Sequence, residues 1–336
     1  MAGRPHLLRR RPAGPPAGRA GGIAPPGARV VVERRGVGLA ARMWRARHLY
    51  LLLAPTVVYF AVFKYWPMYG VQIAFRDYQA DAGFLHSPWV GLAHFQRFFN
   101  SHQFWDLLSN TIWLALFNLL VVFPVPIVLA LIVNQLRLGR FRRFAQTVLY
   151  APNFISTVVI VGMLYVFLAP RSGLVNNLIV FMGGDPIFFM AESEWFRPVY
   201  VGSSLWQEAG FSMVIYLAAL AAIDPSLHEA AKMDGATRWQ RIRHVDLPGI
   251  SSTISVLFIL SIGNLLNIGF EKALLMQTPL NKDTSQIIQT YVYEVGLLQA
   301  QFSFSAAVGL FNSLINMTLL LVFNHVARRA RQASLF

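Results

Sequence analysis

A carboxylate and several amides fall inside stretches that are otherwise apolar: Asn118, Gln207 with Glu208, Asn264 with Asn267, and Asn312 with Asn316. Such groups can hold a polyhydroxylated solute, the amides donating and accepting hydrogen bonds and the carboxylate accepting, while Trp206 offers a face on which a sugar ring stacks. Inside a bilayer they are costly and turn toward a bundle interior, either joining helices or lining a path. The expected path-lining residues come from Gln207, Glu208, Asn264, Asn267 and Asn312, which the 1.5 Å rise of a helix puts at similar depths on three spans. Interhelical bonding is the competing explanation for each Asn, and contact with water outside the membrane for Glu208. Covalent chemistry has no visible basis. The chain has no H-E-x-x-H pair, no G-x-S-x-G elbow, no G-x-x-x-x-G-K-[ST] phosphate loop and no cysteine, and its eight histidines are scattered. No catalytic residue, metal ligand or bound cofactor is therefore expected in this chain.

A second polar cluster runs from Asp224 to Gly249, DPSLHEAAKMDGATRWQRIRHVDLPG, between two apolar runs of membrane length. Asp224 or Ser226 can cap a first helix, since Pro225 suits an initial helical position and Ser226 with Glu229 reads as a capping box. Leu227, Ala230, Ala231 and Met233 make that helix partly apolar, and Gly235 follows where a left-handed residue ends it. Thr237 can cap a second helix bearing Trp239, Ile242 and Val245, which Leu247-Pro248-Gly249 stops. A hairpin resting on the membrane surface accounts for the composition equally well.

The elements that must position these groups are membrane helices. With 336 residues, 55% hydrophobic and 13% charged, and a mean hydropathy of +0.48, the chain is too apolar for an ordinary soluble domain. About 20 apolar residues cross a bilayer, and six stretches qualify: 49–66, 107–136, 144–169, 199–223, 250–270 and 302–326. This predicts an all-α integral membrane protein with a six-helix bundle over 48–326, in which FPVP at 123–126 kinks the second span. Residues 1–47 hold eleven arginines and one acidic residue amid many Gly and Pro, a composition expected to be disordered, and no signal-peptide cleavage is expected there. A short basic tail, 327–336, ends the chain.

The tail, the turn LRLGRFRR at 136–143, the Asp224 loop and the C-terminal tail hold 22 of the 29 Lys and Arg. By the positive-inside rule these segments, and hence both termini, are cytoplasmic. The net charge of +14 is thus a topology signal with some attraction to anionic lipid, and nucleic acid is not an expected partner.

Glu229-Ala230-Ala231, then Asp234-Gly235-Ala236, then nine residues to Val245-Asp246-Leu247-Pro248, resembles the EAA loop of permease subunits of binding-protein-dependent ABC importers. The match departs at Val245, where that family more often has Ile, and at Ser251 or Ser252, where a further Pro is frequent. KYWPMYG at 64–70, APNFIS at 151–156, YLAALAAIDP at 216–225, GNLLNIGFEKALL at 263–275 and QTYVYEVGL at 289–297 resemble the branch that imports oligosaccharides or polysaccharide fragments. The resemblance covers about residues 49–336. It implies a fold of ABC importer permease type in a bacterial cell membrane and an ATPase-coupling role for Glu229, Ala230, Ala231, Asp234, Gly235, Ala236, Leu247 and Pro248. It also implies a second homologous permease as heterodimer partner, cytoplasmic ATPase subunits that bind the ATP and Mg, and an extracytoplasmic sugar-binding protein. The rival readings are a permease for a non-sugar solute, a membrane enzyme, and an ion-coupled secondary transporter, which needs an internal repeat with matched broken helices and a buried ionisable pair.

Overall fold

The computed structural model describes residues 44, 46–136, 139–267 and 269–329. Nearly all of the basic N-terminal tail and residues 330–336 lie outside them. The chain divides into two units, Met1–Phe63 and Lys64–Phe336. In the first, helix α1 (Arg47–Phe60) is apolar all round and has no buried residue, the signature of a helix surrounded by lipid or protein rather than water. It leads into a wide π turn, Ala61–Tyr65, and a 3-10 stretch, Trp66–Phe75, so the helical run is 29 residues long and outlasts the expected 49–66. Pro67 does not end it because it stands at the start of the 3-10 stretch, where a missing N–H costs little.

The second unit contains the amphipathic helix α2 (Ala93–Phe99), then α3 (Phe104–Phe117) and α4 (Pro124–Asn134), which with the π turn Asn118–Val122 form one 31-residue span. Where a kink was expected at FPVP, the span instead runs on through that π turn just before it. Pro124 lacks an N–H and crowds the preceding turn, and the widened turn just before it absorbs the misfit without a bend of the size seen at the breaks below.

The third stretch differs from a continuous span over 144–169. Helix α5 (Gly139–Tyr150) and a short 3-10 turn meet α6 (Thr157–Phe167) at 97°. Pro152 and the extended Ile155 and Ser156 end the first helix, and Ser156 caps the second through Val159 N–H. After α7 (Leu174–Phe181) comes the 29-residue α8 (Ser193–Ala221), which starts six residues before the expected 199. The loop then carries α9 (Pro225–Met233) and α10 (Arg238–Arg241).

The fifth stretch also breaks. Helix α11 (Ser251–Gly263) stops at Gly263 rather than 270, and α12 (Phe270–Met276) follows after a non-helical segment. Next come α13 (Ile288–Tyr293) and α14 (Phe302–Arg329), the sixth span. The described residues form no β-strand, only an isolated bridge between Arg76 and Trp89. Three straight runs and three bent pairs give up to six crossings, an all-α membrane bundle.

Three apolar clusters hold the second unit together. Ala130 and Val133 on α4 meet Met213, Tyr216, Leu217 and Leu220 on α8, at the i, i+3, i+4 and i+7 spacing of one helix face. Phe196 and Tyr200 at the other end of α8 pack with Leu114, Leu266 and Met276. Phe98, Phe104, Tyr291 and Phe304 close the third. Gly210 lets α8 approach α5: a Cβ there would lie 1.9 Å from the Leu149 carbonyl oxygen.

Candidate functional site

The loop between α8 and α11 is built by the motif residues themselves. Of the two possible caps Asp224 is the one used, its Oδ1 accepting Ser226 N–H at 2.9 Å, a bond that holds its carboxyl below the ordinary value. Helix α9 ends in a Schellman motif, with Ala236 N–H bonded to Ala231 C=O and Gly235 N–H to Lys232 C=O. Gly235 has φ +75°, the left-handed conformation its position predicts. Thr237 and Gln240 close a reciprocal capping box on α10.

The second loop helix does not stop at Leu247-Pro248. It continues through a π turn, Ile242–Asp246, to Gly249 and bends by 59° into α11. The widened turn makes room for Pro248. Ala231, Asp234, Gly235 and Ala236 line a hollow of about 300 Å³ with Gln240, Arg241 and His244. Leu227, Ala230 and Met233 form an exposed stripe on α9, Met233 at 88%. Glu229 is exposed as well, as are Leu247 and Pro248 at the loop's far end.

One carboxylate in this loop is fully buried. Asp246 is 0% exposed; its Oδ2 accepts from Gln135 Nε2 at 3.1 Å, and its Oδ1 lies 3.4 Å from His228 Nε2. Burial pushes its carboxyl above the ordinary range, against the opposing pull of His228 and Arg241.

A cavity of about 270 Å³ opens between the second, fourth and fifth spans. Its polar lining comes from Asn118, Glu208, Ser212, Tyr216, Ser261, Asn264 and Asn267, and its apolar wall includes Phe123, Pro126 and Leu257. The structure therefore brings Glu208, Asn264 and Asn267 together. Gln207 and Asn312 are not in the lining. Gln207 donates to Ile155 C=O at 3.3 Å, tying α8 to the break in the third stretch. Asn312 donates to Asn267 Oδ1 at 3.3 Å, as Asn316 does at 3.4 Å and Gln289 at 3.0 Å. Trp206 is half exposed and absent from the lining, so the aromatic faces come from Phe123 and Tyr216. Asn118, named among the polar residues of the spans, stands outside the expected path-lining set. Asn118 Oδ1 is buried without a hydrogen bond to the chain, in a residue that lines the cavity.

Lys272, one of the seven Lys and Arg outside the cytoplasmic set, is 4% exposed and donates to Ser204 Oγ at 3.1 Å. It lies 5.6 Å from the Tyr200 ring. The signal was present in the recurrence of Tyr200, Ser204 and Glu208 every fourth residue on α8. A buried lysine thus lies one turn of α8 away from Glu208, beside a broken helix.

The arrangement is one of hydrogen-bonding and stacking groups around a membrane cavity. It matches a known family. Residues 123–332 fit the family described as the binding-protein-dependent transport system inner membrane component. The chain belongs to this family. Among permeases, it is 46% identical over 298 residues to the polygalacturonan/rhamnogalacturonan transport system permease protein YteP of Bacillus subtilis (strain 168), covering 89% of this chain and 93% of that one.

The crystal structure of a bacterial ABC transporter that imports the acidic polysaccharide alginate contains a chain 40% identical, with a TM-score of 0.81 over 87% of this chain and 98% of that one. The alginate transporter in complex with an alginate pentasaccharide-bound periplasmic protein gives 39% identity and a TM-score of 0.82, covering 88% and 99%. This permease is accordingly a multi-pass membrane transport subunit.

Proposed function

We propose that this permease is one of two homologous membrane subunits of an ATP-driven importer that carries an oligosaccharide into a bacterial cell. The observation that carries the reading is the cavity: three amides, a carboxylate, three hydroxyls and two aromatic rings line it within the membrane bundle, the mixture that sugar hydroxyls and ring faces call for. The polysaccharides named for its relatives make acidic oligosaccharides the first compounds to assay. The complex of the alginate transporter supports a binding protein outside the membrane as the source of substrate.

The loop from Asp224 to Gly249 serves as the coupling element. The exposed apolar stripe Leu227, Ala230, Met233 is costly in water and fits a groove on an ATPase subunit. Ala231, Asp234, Gly235 and Ala236 fix the end of that helix, Glu229 presents a charge beside it, and Leu247 and Pro248 join the loop to the fifth stretch. Both termini and the loop are cytoplasmic, by the placement of 22 of the 29 basic residues. ATP and Mg are bound by the ATPase partners, and ATP-driven closure of those partners moves the bundle as a rigid body.

The buried Lys272, held at Ser204 one turn of α8 from Glu208, favours a second reading, ion-coupled transport. Reconstitution with the partner permease, the ATPases and the binding protein in proteoliposomes distinguishes the two. Uptake of a labelled acidic oligosaccharide should require ATP and persist with a protonophore. Uptake that needs an ion gradient and no ATP would overturn the proposal.

A further inference from the structure

From Pro225 to Gly249, Asp246 is the only buried residue, and it is charged. Neither α9 nor α10 buries a residue of its own; half-buried Ile242 adds apolar contact with the cluster around Tyr216. The carboxylate joins three elements. Gln135, just past the inner end of α4, donates to Oδ2; His228 on α9 faces Oδ1 at 3.4 Å; and Asp246 itself ends the π turn that continues α10. Arg241, one turn earlier, adds a positive charge, and its Nε is buried without a hydrogen bond. A buried carboxylate with this few hydrogen bonds is a poor stabiliser compared with an apolar side chain of similar volume, and its best-attested use is to fix one geometry against others.

We infer that Asp246 is a positioning residue that latches the docking helix α9 to the inner end of the second span, so that displacement of α9 is passed to the span whose Asn118 lines the cavity. This inference rests on the docking reading above. A loop joined to α8 and α11 only through its ends could tilt at Ile223 and Ile250 without moving α4. The Gln135, Asp246 and His228 contacts remove that freedom.

The test uses the assembled transporter in proteoliposomes, and the absence of cysteine makes a single introduced thiol a clean probe. Ala230→Cys, cross-linked to the ATPase, reports docking by itself. If no cross-link forms in the otherwise unchanged protein, the docking reading fails and the latch falls with it. With the cross-link present, Asp246→Asn keeps shape and volume while removing the charge. The sugar imported per ATP hydrolysed should fall about tenfold or more, the change that corresponds to losing a hydrogen bond to a charged group, with the cross-link retained. Gln135→Leu and His228→Ala should act in the same direction. His228→Gln, whose amide can donate to the same carboxylate, should recover most of the ratio. If Asp246→Asn fails to assemble, the two half-buried positions decide. An unchanged ratio in Asp246→Asn, or in both Gln135→Leu and His228→Ala, would overturn the latch while leaving docking intact.

Discussion

Gly235 offers a perturbation whose magnitude can be worked from the backbone alone. Its φ is +75°, and a Cβ added there meets nothing within 4 Å, so a side chain meets no obstacle from its neighbours and the cost lies in conformation. An L-residue in the left-handed region pays roughly 1–2 kcal/mol, Asn less because its side chain bonds locally, and a β-branched residue more. A penalty of one or two kcal/mol shifts an equilibrium by roughly 5–30-fold.

The equilibrium at stake is between α9 closed by its two Schellman bonds, from Gly235 N–H and Ala236 N–H, and α9 with a frayed end. The measurement is oligosaccharide uptake per ATP hydrolysed in proteoliposomes containing Gly235→Asn, Gly235→Ala or Gly235→Val. The expected order is Gly close to Asn, then Ala, then Val, with Val inserted normally but uncoupled by roughly an order of magnitude. Uptake by Gly235→Val equal to the parent would refute the coupling role. A series in which Asn is as damaging as Val would show that space, taken up by a partner, matters there and φ does not.

Sidedness is checked by fusions: a reporter after Phe336 should be active only in the cytoplasm and one inserted near Gly184 only outside, and exchanged activities would remove the basis for docking. Glu208→Gln and Asn264→Ala should change transport or substrate preference while assembly with the partner permease persists, whereas Gln207→Ala, which loses only the bond to Ile155 C=O, should leave preference alone; the reverse pattern would move the path elsewhere. Asn316→Ala should lower the yield of assembled transporter in detergent, because the Leu266 N–H it accepts is left unpaired at about 1–3 kcal/mol. Gly210→Ala should do the same by about 1–3 kcal/mol of overpacking, since a backbone carbonyl 1.9 Å from the new Cβ cannot rotate away; normal yield would show that α5 is free to shift.

Signals with a short physical range were legible in the sequence. The Schellman ending at Gly235 and the cap at Thr237 each depend on a few adjacent residues, and apolar length alone indicated six crossings. The breaks at Ile155 and after Gly263 were not legible, because apolar composition runs on through both while the backbone does not. Hydropathy reports what surrounds a segment and carries no information on its direction. The burial of Lys272 was not legible for the same reason. The residue stands just past the expected end of the fifth span, and the break turns α12 back against α8.

The break also explains how the polar residues in the spans divide their work. Residues 264–267 are non-helical within an apolar bundle, and backbone there is tolerated only where protein satisfies it. Asn316 accepts Leu266 N–H at 3.0 Å, replacing a helical partner that the fifth span has lost, while the Asn267 side-chain oxygen takes bonds from Asn312, Asn316 and Gln289 that tie the segment in place. With the segment held open, Gly269 C=O comes to 3.3 Å from the Tyr200 hydroxyl and Lys272 reaches Ser204. That leaves Glu208, one turn further along α8, facing the cavity beside Asn264. Asn312 and Asn316 therefore brace the cavity rather than line it, and the span that breaks is the one that brings Asn264 and Asn267 to its surface.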